Sequence, residues 1–122
     1  MTPPIFQTAN VPAVQALLKS GNGPLRFYAW GLAPQNVEKP YAVWRQVYGT
    51  PENYLGDRPD IDNAGLQIDC YADSSSVARS VGEAIQYAIE LSAYVVSGPR
   101  EDRDPETMNY VFSFDTEWWT PR

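Results

Sequence analysis

Gly65-Leu66-Gln67-Ile68-Asp69-Cys70-Tyr71-Ala72 decides the fold. Leu66, Ile68, Cys70 and Ala72 fall on one side of an extended chain, and Gln67, Asp69 and Tyr71 on the other. A period of two with one apolar side marks a half-buried strand. Directly after it, Asp73-Ser74-Ser75-Ser76 supplies a choice of N-caps for a helix over 75–92. Val77, Val81, Ala84, Ile85, Ala88 and Ile89 recur there at helical spacing and form one apolar stripe. At 1.5 Å per residue such a helix is about 27 Å long, enough to cover a sheet.

Outward from this pair, eleven prolines partition the chain. They leave Pro-free windows at 41–50, 60–98 and 106–120, where regular structure should concentrate together with 13–23. A short helix is expected over 11–20, with Asn10 as N-cap, Pro12 in the first turn and Val14, Leu17 and Leu18 on one face. Ser20-Gly21-Asn22-Gly23-Pro24 stops it. Residues 25–30 read as a strand. Residues 41–48, Tyr-Ala-Val-Trp-Arg-Gln-Val-Tyr, form a stronger one with large side chains on both faces, which places it inside a sheet. Gly49 to Asn63 reads as a loop. Residues 92–97 either extend the long helix or form a short strand, and Tyr94, Val95 and Val96 favour the strand. Gly98 to Pro105 is a charged turn. Met108 to Trp119 closes the chain as a long strand with Tyr110, Phe112 and Phe114 on one face and Val111, Ser113 and Asp115 on the other.

The expected fold is α+β: a mainly antiparallel sheet of about four to five strands with two helices packed on one face. With 122 residues, 1–122 should be a single domain with a radius of gyration of about 14 Å. Met1-Thr2-Pro3-Pro4 lacks a basic segment leading into an apolar stretch, and no run nears the ~18 apolar residues of a membrane span, so a soluble protein made in a cytoplasm is expected.

Composition removes several chemistries. The chain has no histidine, which excludes His-based metal sites and His-dependent nucleophilic triads. One cysteine forms neither an intrachain disulfide nor a zinc cluster. Cys70 lies on the apolar side of its strand, where a buried inert thiol is expected rather than a nucleophile. Asp57, Asp60, Asp62 and Asn63 miss the spacing of a calcium loop and read as a solvated acidic segment. Asp115 and Glu117 share a strand face without an identifiable acid–base partner. Gly21 and Gly23 lack the context of a phosphate loop. No cofactor and no catalytic residue is expected. What remains conspicuous is the aromatic content, four Trp, eight Tyr and four Phe, residues that fill cores and are enriched at protein interfaces.

Loops as long as 49–63 are commonly functional or mobile. Tyr54 and Leu55 are apolar side chains that a segment bearing Glu52, Asp57, Asp60 and Asp62 cannot easily bury within itself. They either tuck back on the sheet edge or reach a neighbouring molecule, with Tyr54 as an aromatic anchor.

Pro40-Tyr41-Ala42-Val43-Trp44, Gln46, the Tyr48-Gly49-Thr50-Pro51 turn and Leu55-Gly56 resemble the tail completion proteins of long-tailed bacteriophages. So does 66–72, a Gln-hydrophobe-Asp-x-Tyr-Ala strand leading straight into an Ala-rich helix, and so do Tyr110-x-Phe112-Ser113-Phe114-Asp115 with a following Trp and the opening Pro4-Ile5-Phe6 with a helix shortly after. The Trp118-Trp119 pair departs from a single expected Trp. The resemblance implies a tail terminator: a structural, non-enzymatic subunit forming a hexameric ring on the head-proximal end of the tail tube. The ring would stop tube growth and present the surface that joins the tail to the head. The implied partners are further copies of itself, the tail tube protein and a head–tail connector or neck protein, with DNA only passing through the lumen. Assembly would occur in the bacterial host's cytoplasm. The residues carried forward for an oligomer or tail-tube interface are Tyr54, Leu55, Asp57, Arg58, Trp118 and Trp119. A neck connector subunit and a small α+β ligand-binding domain are the alternative readings.

Nine basic residues stand against fifteen acidic ones, a net charge of −6, and the basic residues do not cluster. A phosphate-binding surface is therefore not expected. In an anisotropy titration near physiological ionic strength, the isolated protein should show no salt-sensitive binding to duplex DNA. Micromolar binding that weakens steeply with salt would assign it a nucleic-acid role.

Overall fold

The alternating segment becomes β3 (Ile61–Ala72), central in a five-stranded sheet. The other strands are β1 (Phe27–Ala29), β2 (Tyr41–Pro51), β4 (Tyr94–Arg103) and β5 (Tyr110–Pro121), in the spatial order β1-β2-β3-β5-β4. The helices among the described residues are α1 (Ile5–Ala9), α2 (Pro12–Leu18) and α3 (Ser75–Ile89). The computed structural model describes residues 3–51 and 61–121. β1 runs parallel to β2, and every other neighbouring pair is antiparallel.

All helices lie on one face of the sheet. Leu66, Ile68, Cys70 and Ala72 are fully buried beneath them, as the alternation requires. From α3 the core receives Ala78, Val81, Ile85 and Ile89; from α1 and α2, Ile5, Ala9, Val14 and Leu18; from β5, Phe112, Phe114 and Trp118. Burying each large aliphatic side chain stabilises the fold by about 1.5–3 kcal/mol relative to exposure. Phe6 of α1 and Phe27 of β1 both pack on Trp44, at ring-centroid distances of 6.3 and 4.7 Å. α3 begins as expected, with Ser74 Oγ accepting from the Val77 amide at 3.3 Å. Val77 itself lies off the apolar stripe, exposed, and Ala78 takes the inward position.

Several expected boundaries move. α3 ends at Ile89 rather than at 92. Val11, not Asn10, occupies the N-cap position of α2, and Asn10 Oδ1 instead accepts from Gln15 Nε2 at 2.8 Å. A further helical turn, α1, precedes it, because Ile5 and Ala9 give it a buried side. The loop expected over 49–63 is shorter: Gly49–Pro51 continue β2 and Ile61–Asn63 begin β3, paired with each other in register. Residues 52–60 lie outside the described residues.

The charged turn expected at 98–105 is strand through Arg103. β4 lies at the sheet edge, where Pro99 needs no ladder partner for its missing N–H. Every residue of β4 is exposed, so charged side chains are admitted on both faces. Ion pairs fasten it: Arg79 of α3 to Glu101, and Arg100 to Asp115 of β5. The turn proper is tighter, with Asp104 Oδ1 accepting from the Glu106 and Thr107 amides and Met108 at a φ of 63°.

Gly82 sits mid-helix where α3 crosses Phe112. A Cβ there would collide with the ring, so this glycine is retained although alanine is intrinsically better in a helix by about 1 kcal/mol. Gly82→Ala should therefore lower the thermal midpoint despite its gain in helix propensity. Val81→Asp, which places an unpaired charge in the same seam, should cost about 3–5 kcal/mol. Chemical denaturation with both variants checks the pair.

Candidate interaction surfaces

The sheet face opposite the helices carries the odd-numbered side chains of β3 and β5, and they form four rows across the strands. The pairings align Tyr41–Tyr71–Val111–Asp102, Val43–Asp69–Ser113–Arg100, Arg45–Gln67–Asp115–Ser97 and Tyr48–Gly65–Glu117–Tyr94. The middle rows are stitched by hydrogen bonds. Ser113 Oγ and Gln67 Nε2 donate to Asp69 Oδ1 at 2.6 and 3.0 Å, and Arg45 donates to Gln67 Oε1 at 3.2 Å. Arg100 binds Asp115 with both terminal nitrogens at 3.1 Å, and Ser97 Oγ adds a bond of 2.8 Å.

Aromatics close the two ends of this face. Tyr41 and Tyr71 stack at 4.9 Å between ring centroids. Burial, reinforced by the Asp69 charge, pushes the Tyr71 phenol up to about 12. At the other end the Tyr48 ring lies over Gly65, where no side chain would fit, and its hydroxyl donates to Glu117 at 2.9 Å. That bond, more than burial, raises the Tyr48 pKa. Tyr48 reaches this position because the ladder slips between Gln46 and Tyr48, leaving Val47 as a bulge.

Asp115 and Glu117, which share a face as expected, are thus engaged by Arg100, Ser97 and Tyr48 in interactions that bind strands together. Cys70 is fully buried, and burial, with the Asp69 charge adding to it, pushes its thiol strongly up, away from the thiolate. Among the described residues no cluster of three or more Cys, Asp or Glu is placed to hold a metal ion. No helix among them is long and apolar enough to cross a membrane.

Of the residues carried forward from the sequence, Tyr54, Leu55, Asp57 and Arg58 lie outside the described residues. The structure separates Trp118 from Trp119. Trp118 points into the core, where its Nε1 donates to Thr116 Oγ1 at 2.9 Å, and that hydroxyl donates to the Leu66 carbonyl at 3.1 Å. It offers no surface in the subunit. Trp119 is 47% exposed and borders a hollow of about 260 Å³ with Glu90, Leu91 and Tyr94.

Two exposed apolar clusters were missed in the sequence. Trp30 and Leu32, just after β1, are 71% and 72% exposed. At the opposite edge Tyr94, Val95 and Val96 stand in solvent beside Leu91, which is 97% exposed. The second was detectable: an apolar strand segment running into Gly98-Pro99 reads as an edge strand, and edge strands expose both faces.

A family model for tail completion protein gp17 matches residues 7–121. The chain belongs to this phage tail completion family. The match covers almost all of the sheet and helices described above, and the family is one of structural tail proteins. No curated protein matches the chain closely enough to be named as a relative. Among the described residues, the sheet face opposite the helices is bound up in its own hydrogen bonds, and the large apolar side chains left in solvent cluster at the two sheet edges.

The Asp115 carboxyl is pushed up by burial, but the hydrogen bonds from Arg100 and Ser97 and the Arg100 charge outweigh this and hold it below 3.8. A carboxyl lowered in the folded state contributes stability that is fully present above the unfolded value and lost as pH falls through the folded one. Asp115→Asn should thus lower the thermal midpoint modestly at neutral pH, and the gap to wild type should close as the pH falls through the lowered pKa of the folded carboxyl. Paired thermal melts across that range check it.

Proposed function

We propose that the chain is a tail terminator subunit: a structural protein that forms a ring on the head-proximal end of the phage tail tube, stops its growth and presents the surface to which the head or neck joins. The observation that carries this is the family match over residues 7–121. A rigid subunit suits the role, and the hydrogen-bonded rows across β2, β3, β5 and β4 supply rigidity on the face that no helix covers. The partners proposed are further copies of this chain in a six-membered ring, the tube protein on one side and a connector on the other, with DNA passing through the lumen. The protein would reside in the virion tail after assembly in the host cytoplasm.

Tube growth in vitro tests the proposal. Substoichiometric subunit added to polymerising tube protein should arrest elongation and leave a six-fold ring on one end in electron micrographs. Tyr54→Ala with Leu55→Asp should keep the thermal midpoint and lose the arrest if the 52–60 segment meets the tube or a neighbour. Unchanged tube lengths, with the protein bound instead to heads, would identify a connector subunit.

A further inference from the structure

The sheet has two free edges, and they differ. β1 is only three residues long, and the chain leaves it through the exposed Trp30 and Leu32. This edge is held firmly. The buried Arg26 donates to the carbonyls of Pro40 and Leu17 at 2.9 and 3.3 Å and to Ser20 Oγ at 2.9 Å, and pairs with Glu38. Four strand spacings away, about 19 Å, β4 exposes Tyr94, Val95 and Val96. Large apolar side chains clustered in solvent mark interaction surfaces.

The register places the two clusters at the same height. The Trp30 amide donates to the Trp44 carbonyl at 2.8 Å, which sets Trp30 beside Arg45. Arg45 pairs with Gln67, Gln67 with Asp115, and Asp115 with Ser97. Leu32 leaves the ladder in a turn, its amide donating to the Ala29 carbonyl at 3.0 Å, which keeps it next to Trp30 in the chain. A contact between the edges of successive copies at equal height carries rotation with little rise, and rotation without rise closes a ring where rise would wind a filament.

Charge divides along the same axis. Residues 3–51, which build β1, β2, α1 and α2, hold Lys19, Arg26, Lys39 and Arg45 against Glu38, a net of +3. Residues 61–121, which build the rest, hold eleven carboxylates against Arg79, Arg100 and Arg103, a net of −8. β4's own four charges cancel, so the signs that matter are those at the patches. Arg45 stands beside Trp30, whereas Glu90 and Glu117 flank Tyr94, and β1 against β4 joins these opposite signs where two β4 edges would set the carboxylates against their own copies. A continuous backbone ladder is not what joins them. Pro99 lacks an N–H, and register shifts on both sides of Ser97 break the edge. Side chains must make the contact.

We infer that copies of this chain associate head to tail, Trp30 and Leu32 of one subunit packing on the Tyr94–Val96 segment of the next. This rests on the ring reading above and names the surfaces that the ring uses.

Cysteine cross-linking tests it, because the native Cys70 is buried and silent. Leu32→Cys and Val96→Cys alter exposed side chains and should leave the thermal midpoint unchanged. Oxidised separately, with or without tail tubes, neither variant should form a covalent dimer. Mixed, they should give a species of twice the 13.7 kDa subunit mass on a non-reducing gel. The double variant should give a ladder that stops at one closed species. A dimer from either variant alone means a symmetric contact and overturns the inference. Rings or capped tubes without the mixed cross-link overturn it while leaving the terminator reading intact. If wild type neither associates nor caps tubes, the terminator reading itself falls, and this inference with it.

Discussion

The seam where α3 lies along β3 and β5 sets the geometry of the whole subunit. Val81, Ile85 and Ile89 enter it from the helix, Leu66, Ile68, Phe112 and Phe114 from the sheet, and Gly82 lets the helix backbone come close enough to seat on Phe112. α1 and α2 then need only short apolar faces, because they pack against α3 and the β1–β2 side of a platform already fixed. Ile5 and Ala9, a single turn's worth of contacts, would not hold an isolated helix of five residues. Tertiary packing holds it.

Because the described helices all share one side, none of them desolvates the opposite face. Its side chains solve the problem among themselves. Asp69 and Asp115 each receive two or more donors, and Tyr48 bridges to Glu117 across Gly65, so charge on the open face is compensated locally. Exposed pairs of this kind contribute little stability one by one. Their value lies in register: each bond is correct only if β2, β3, β5 and β4 pair as they do, so a one-residue slip would break them together.

How much of this was legible depended on whether burial left a periodic trace. β3 and α3 were readable because each has one buried side, and the alternation or stripe survives in the letters. β4 has no buried side, so its sequence carries no alternation, and Gly98-Pro99 with the five charged residues Arg100 to Asp104 after it imitates a turn. Trp118 and Trp119 show a different failure. The parity of Phe112 and Phe114 already put Trp118 inside and Trp119 outside, yet treating the two as a pair hid that. The parallel direction of β1 left no local signal, since three residues carry no information about their neighbour. The Trp30–Leu32 surface was invisible for a related reason: exposure of an aromatic is a property of what fails to cover it, and only the assembled sheet shows that.

The order β1-β2-β3-β5-β4 also governs what a head-to-tail assembly can do. An edge that matched its own copy would make a symmetric contact and close a dimer at that edge. Here the edges differ in length, in charge and in the apolar residues they display, so one contact leaves the complementary edge unused at each end. Growth continues until the last copy meets the first. In a ring closed this way both edges of every subunit are consumed laterally, so neither edge is left to add a further copy. Such closure is the physical requirement for a protein whose proposed task is to end a polymer: it must oligomerise without itself becoming a fibre.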